Sequence, residues 1–131
     1  MAMVSEKQFQ QTVAVMVYPD LPPREFSPNS RVHWSKRMKA GLKVNDTMAF
    51  LMMEQGVWDN APLAHAVVRF KIGLPDKRRR DLDNLIAACK PLLDALTGRV
   101  IKDDRIGSVD LEYSCFASPN NPQTIIEVGV L

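Results

Sequence analysis

Hydrophobic and polar positions divide the chain into six stretches with two different periods. Thr12 to Tyr18 (TVAVMVY) is short and almost wholly apolar, which predicts a buried strand. PDLPPREFSPNS follows with four of the nine prolines and must be a loop. From Ser35 to about Gln55 the spacing becomes helical. Met38, Leu42, Met48, Leu51, Met52 and Gln55 form one stripe, and Gly56 is a natural terminator. Ala66, Val68, Phe70, Ile72 and Leu74 then alternate with Val67, Arg69 and Lys71. That predicts a half-buried strand whose outer face is positive.

From Asn84 the helical period returns, with Leu85, Cys89, Leu92 and Leu96 on one face and Ile86 and Leu93 beside them. Pro91 removes a backbone donor inside this run, so the helix should kink or split there. Gly98 ends it, and RVIKDDRI connects to a third strand in which Val109, Leu111, Tyr113 and Cys115 alternate with polar residues. SPNNPQ makes a turn before a fourth strand, Thr124 to Val130. The order β-α-β-α-β-β, without repeats, predicts a single α+β domain: a small mixed sheet with helices packed on it. Residues 1–11 read as a flexible leader ahead of a domain spanning 12–131.

Composition adds limits. A chain of 131 residues with 46% apolar residues suits one soluble globular domain. The polar N-terminus lacks the apolar centre of a signal peptide, and no apolar run approaches the ~20 residues of a membrane span. A cytoplasmic protein without membrane contact is expected. Cys89 and Cys115 have no close spacing, which suits a reducing compartment. With His33 and His65 they lack the paired spacings of a zinc site.

Net charge is only +2, but the cations are clustered. Arg31 to Lys43 holds five Lys or Arg and no acid, and Lys77 to Arg80 are four consecutive cations. Arg31, Lys36, Arg37, Lys77, Arg78, Arg79 and Arg80 are therefore candidate phosphate contacts for DNA. Trp34, inside the first block, either packs over the first helical turn or stacks on an exposed base.

The second block runs into two aspartates, as RRRDLDN (78–84). If the backbone is still extended there, Asp81 and Asp83 point the same way and reach one volume of space. Two such carboxylates repel unless a cation lies between them or one is protonated. Hard oxygen ligands beside phosphate-binding cations suit Mg²⁺ or Mn²⁺. The plainer reading makes Asp83 a helix cap and pairs Asp81 with an arginine. Asn84 serves either as a cap or as a hydrogen-bond partner behind the ligands. KDD (102–104) can bring Asp103 or Asp104 back to the same end of the sheet, giving three carboxylates around one metal. A solvated acidic turn is the alternative. Lys90 lies seven residues past Asp83, within about 20° of it on a continuous helix. It is either a solvent lysine beside Asp94 or a cation for the scissile phosphate.

RRRDLDNLIAACKPLLDAL with KDD downstream resembles the RusA family of Holliday junction resolvases, and PPREFSPNSRVHW resembles that family's Pro-rich N-terminal segment. The resemblance covers roughly residues 12 to 130. It implies that Asp81, Asp83 and Asp104 ligate Mg²⁺ and that Lys90 assists catalysis. It also implies a homodimer that cuts two strands of a four-way junction symmetrically, with no small-molecule cofactor, and a prophage setting. The stretch from DLDN to the lysine is three residues longer than in a member of that family. Either Lys90 is the equivalent, displaced by nearly one turn, or Ala87 stands there. The following DAL favours Lys90.

The expectation is thus a Mg²⁺-dependent, structure-selective endonuclease acting in DNA recombination and repair. A junction-binding module without cleavage needs the basic blocks but not the aspartates. A nucleotide-sugar transferase using DxD with Mn²⁺ has little room in 131 residues.

Overall fold

A computed structural model describes residues 9–131. Four strands and three helices follow one another as β1 (Gln11–Tyr18), α1 (Trp34–Glu54), β2 (Ala66–Leu74), α2 (Leu82–Ala88), α3 (Lys90–Leu96), β3 (Val109–Ala117) and β4 (Gln123–Val130). The chain is an α+β domain with one mixed sheet, as the periodicities predict. Residues 1–8 of the expected leader lie outside the described residues. The sheet is entered one residue earlier than expected: Gln11 pairs with Val130, and the Gln10 amide donates to the Val130 carbonyl at 2.8 Å.

The strand order is β1-β4-β2-β3. β4 runs antiparallel to both β1 and β2, while β2 and β3 are parallel and joined through α2 and α3. A parallel pair needs such a crossover, and the helical segment 82–96 supplies it. Ala14, Met16, Val68, Phe70, Ile72, Ile126 and Val128 bury one face of the sheet with Val44, Met48 and Met52 of α1 and Leu92 and Leu96 of α3. Tyr113 extends this core toward the β3 edge by stacking on Phe70, with ring centroids 5.3 Å apart.

Pro91 acts as its chemistry requires. The helical run breaks at Cys89, and Pro91 sits in the first turn of α3, where its missing amide would have had no helical partner. Gly56, at φ +72°, ends α1 in the left-handed conformation glycine adopts without steric cost.

Two expectations are corrected. β2 is not half-buried with a free cationic face. It is a central strand, and Arg69 is buried against Glu112 of β3 at 2.6 Å, with Glu127 of β4 at 4.0 Å. Lys71 also pairs with Glu127, at 3.3 Å. Register explains this: Arg69 stands opposite both glutamates, so neighbouring strands neutralise charges that looked free along one strand. The Phe9 ring covers Arg69 from outside, 3.9 Å from the guanidinium carbon, and fills the space a side chain at Gly129 would need.

The second correction concerns the α1 stripe. Met48, Leu51 and Met52 are buried as expected, but Met38 and Leu42 are exposed, and Val44 takes their place in the core. Every buried residue of α1 lies in its C-terminal half. The N-terminal half stands away from the sheet.

Candidate nucleic-acid interface

A cleft of about 810 Å³ opens between the Pro-rich loop, the N-terminal half of α1 and the start of α2. The loop forms its back wall because Pro22 and Pro23 are buried and the Thr124 hydroxyl donates to the Asp20 carbonyl at 2.9 Å. A 3₁₀ turn over Arg24–Phe26 follows, with the Arg37 guanidinium 5.2 Å above the Phe26 ring. Tyr18 reaches the cleft from the end of β1. Burial pushes its phenol up, helped by the charges of Asp20 and Glu25.

The helix wall explains the sign of the cleft. Lys36, Lys39 and Lys43 recur at helical spacing and all line it, with Ala40 and Val44 between them and the core. Arg24, Arg78 and Arg80 add cations from the loops, against Asp20, Glu25 and Asp81. Of the seven candidate DNA contacts, the cleft therefore collects Lys36, Arg78 and Arg80. Arg31, Lys77 and Arg79 are exposed outside it, and Arg37 lies over Phe26. The sequence reading missed Arg24, Lys39 and Lys43 as contacts. The 36-39-43 spacing was the available signal, because only those positions of the basic block share one side of a helix.

Arg80 has a second role. Its Nη1 donates to Asp76 Oδ1 at 2.8 Å and to the Arg78 carbonyl at 3.2 Å, and its side chain is only 11% exposed. Asp76 also accepts the Arg78 amide at 3.0 Å. These bonds, the one from Arg80 foremost, hold the Asp76 carboxyl below its usual range. The arginine partner in this segment is thus Asp76, not Asp81, and the pair folds the exit of β2 so that Arg78 faces the cleft.

Asp81 occupies the capping position of α2 in extended conformation, at φ −86° and ψ 122°. Its carboxylate caps no amide and makes no hydrogen bond or ion pair among the described residues. Asp83 is already inside the helix and is exposed; it accepts only the Asn84 amide, at 3.1 Å. The condition for two parallel side chains is therefore not met. Extended backbone ends at Asp81, so the alternation of a strand does not carry through to Asp83. Asp81 and Asn84 line the cleft; Asp83 does not.

Lys90 begins α3, and its ammonium lies 2.7 Å from Asp94 and 3.3 Å from Asp104. The Asp94 bond, with that of Asp104, holds the ammonium above its usual range. Asp103 turns the other way, to Arg105 at 2.9 Å. The return loop therefore brings Asp104, not Asp103, to Lys90. Among the described residues no group of three or more His, Cys, Asp or Glu is assembled as a metal cage. His33 caps α1, accepting the Ser35 amide at 3.2 Å, and His65 bonds the Gly107 carbonyl at 3.0 Å. Trp34 does not pack over its helical turn: it is 65% exposed, beside the His33 ring.

Fold and site together define a two-layer α+β domain with a cationic cleft whose wall also carries the carboxylates of Asp20, Glu25 and Asp81. No protein-family model matches the chain. A protein of Xylella fastidiosa (strain Temecula1), described as uncharacterized, is 32% identical over 90 residues. The match takes in 64% of this chain, which spans 56% of that relative's length. Among the described residues no helix is long and apolar enough to cross a membrane.

Proposed function

We propose that this protein is a Mg²⁺-dependent, structure-selective DNA endonuclease that resolves four-way junctions by paired strand cleavage. The cleft carries this reading. It sets an unpaired carboxylate, Asp81, among six cations, three of them spaced along one helix face. Cations so arranged bind a phosphate backbone without reading bases. A carboxylate left among them weakens phosphate binding unless a metal ion joins the two.

The donor chemistry fits Mg²⁺, with Mn²⁺ as a substitute. Mg²⁺ keeps several waters and takes one or two carboxylates plus substrate phosphates, so it needs no closed protein cage. Asp81 would hold it from the cleft wall with Asn84 beside it; Asp83, outside the cleft, and Asp104, bonded to Lys90, would have to turn toward the ion to complete the set. Such an ion, when bound, supplies a Lewis acid for the phosphodiester and an acidified water. Lys36, Lys39, Lys43 and Arg78 hold the strand in the cleft. Lys90 is kept protonated by Asp94 and Asp104 and neutralises charge on the scissile phosphate.

Cleavage of synthetic four-way, Y-shaped and linear duplex DNA with added Mg²⁺ tests the proposal. The four-way junction should be cut in two strands, and Asp83→Asn should bind it but not cut it. Binding without cleavage by the parent chain would make the protein a junction-binding module. An Asp83→Asn protein cutting at the parent's rate would remove the metal reading.

A further inference from the structure

Cations account for only part of the cleft. Lys36, Lys39 and Lys43 make its helix wall positive, whereas the loop wall carries Asp20 and Glu25 beside Arg24. Much of the remaining lining is apolar: Leu21, Pro22, Pro23, Val44, Leu85 and Ala88. A phosphate gains nothing from apolar lining, because burying a charge there is costly. Tyr18 belongs to neither set. It is only 6% exposed, yet it lines the cleft, and its hydroxyl makes no hydrogen bond among the described residues. A buried phenol ordinarily finds a partner. Burial first, then the charges of Asp20 and Glu25, raise its pKa, so the hydroxyl stays a neutral donor. The same two carboxylates would repel a phosphate placed beside it, but not a neutral acceptor.

We propose that the cleft takes one nucleobase turned out of a DNA strand, with the Tyr18 hydroxyl donating to an acceptor on its edge and the cations holding the flanking phosphates. The inference rests on the reading of this cleft as a DNA site and adds what enters it. A base is flat, largely apolar and neutral, and its carbonyl oxygens and ring nitrogens are acceptors. It therefore suits both the apolar lining and the unpartnered donor. Asp20 and Glu25, unfavourable to a phosphate, can accept from an exocyclic amino group. The phosphates on either side of the base supply the charge that Lys36, Lys39 and Lys43 face. A volume of about 810 Å³ is enough to enclose a ligand of that size. Turning a base out costs least where it is already unpaired or poorly stacked. Base entry would thus favour branched over linear DNA without any contact to the branch itself.

Two fluorescein-labelled single strands separate base from phosphate: one carries ordinary bases, and the other has abasic sites at its central positions with every phosphate kept. At low salt the parent chain should bind the abasic strand about 5- to 100-fold more weakly. Tyr18→Phe keeps the buried ring and removes only the hydroxyl, so its melting temperature should match the parent's. It should weaken binding of the ordinary strand about 3- to 10-fold, the loss of one hydrogen bond, and leave binding of the abasic strand unchanged. Lys39→Ala should weaken both strands alike. Equal parental affinity for the two strands would overturn the proposal while leaving the DNA site standing. So would a Tyr18→Phe protein that weakens both strands equally, or neither. Base-dependent binding by a chain that cuts no junction with Mg²⁺ would keep this inference and remove the nuclease reading. Binding of neither strand would end both.

Discussion

Residues in this protein are best separated by what they already touch. Among the described residues the Asp81 carboxylate has no partner, whereas Lys90 holds two aspartates and Arg80 holds its own loop. Lys90 is 62% exposed, so its pairs contribute little stability, about 0–1 kcal/mol. Lys90→Met should leave the unfolding free energy within about 1 kcal/mol of the parent. Under the proposed function the same change should slow junction cleavage on the order of 10²-fold without altering Mg²⁺ affinity. Parallel denaturation and single-turnover cleavage would check this, and parental rates would place Lys90 outside the chemistry.

The two thiols give a second prediction at this scale. Burial pushes the Cys89 thiol up to about 12, from an ordinary value of 9.0, while Cys115 is exposed. A neutral-selective thiol reagent should therefore titrate one equivalent, Cys115, in the native protein and the second only on unfolding. The raised Cys89 value also bears on stability. Its contribution is fully present below pH 9.0 and is lost as pH rises toward about 12, because the unfolded thiol ionises first. Cys89→Ala should remove about 1 kcal/mol per pH unit of that alkaline decline. Urea unfolding at several pH values measures it.

At the scale of elements, α1 combines two environments in one helix. Met48 is fully buried, and Met48→Ala should cost about 2–5 kcal/mol, the loss of burial plus a cavity. Leu42 is 59% exposed within one chain, so Leu42→Ala should change the stability of a single chain by less than about 0.5 kcal/mol. The contrast is measurable by chemical denaturation at low protein concentration. A similar division holds in the loop after β2. Arg80→Ala removes the fold of the segment and should lower the melting temperature; Arg78→Ala removes only a cleft cation and should leave it unchanged.

At the scale of the whole molecule, a near-neutral chain separates its charges by architecture. The sheet's outer face is neutralised by Arg69, Lys71, Glu112 and Glu127, and excess cation is concentrated in the cleft. Under the proposed function, junction binding should therefore weaken steeply with salt, because each neutralised phosphate releases counterions. Replacing one cleft cation, Arg78 or Lys39, should reduce the log–log salt slope by about 0.9. Replacing Lys71, which faces Glu127, should leave it unchanged. Fluorescence anisotropy across a salt series distinguishes the two.

The sequence by itself determined the order and type of the strands and α-helices, though not the 3₁₀ turn over Arg24–Phe26, and also the break at Pro91 and the ends at Gly56 and Gly98. These depend on short-range rules: alternation, helical period, a missing amide and a permitted left-handed φ. It also singled out the segment to which the proposed function assigns the chemistry, since a basic run meeting DLDN is local. Only tertiary structure decided which charges are free. Arg69 and Lys71 looked exposed along β2, yet strand order set Glu112 and Glu127 on either side of Arg69 and brought Glu127 within reach of Lys71. Asp103 and Asp104 were equal in sequence until the return loop turned one to Arg105 and the other to Lys90. Met38 and Leu42 fit the period of a buried stripe, but how far a helix lies over its sheet is fixed by packing at its far end. Period says which residues share a face; only the neighbouring element says whether that face is covered.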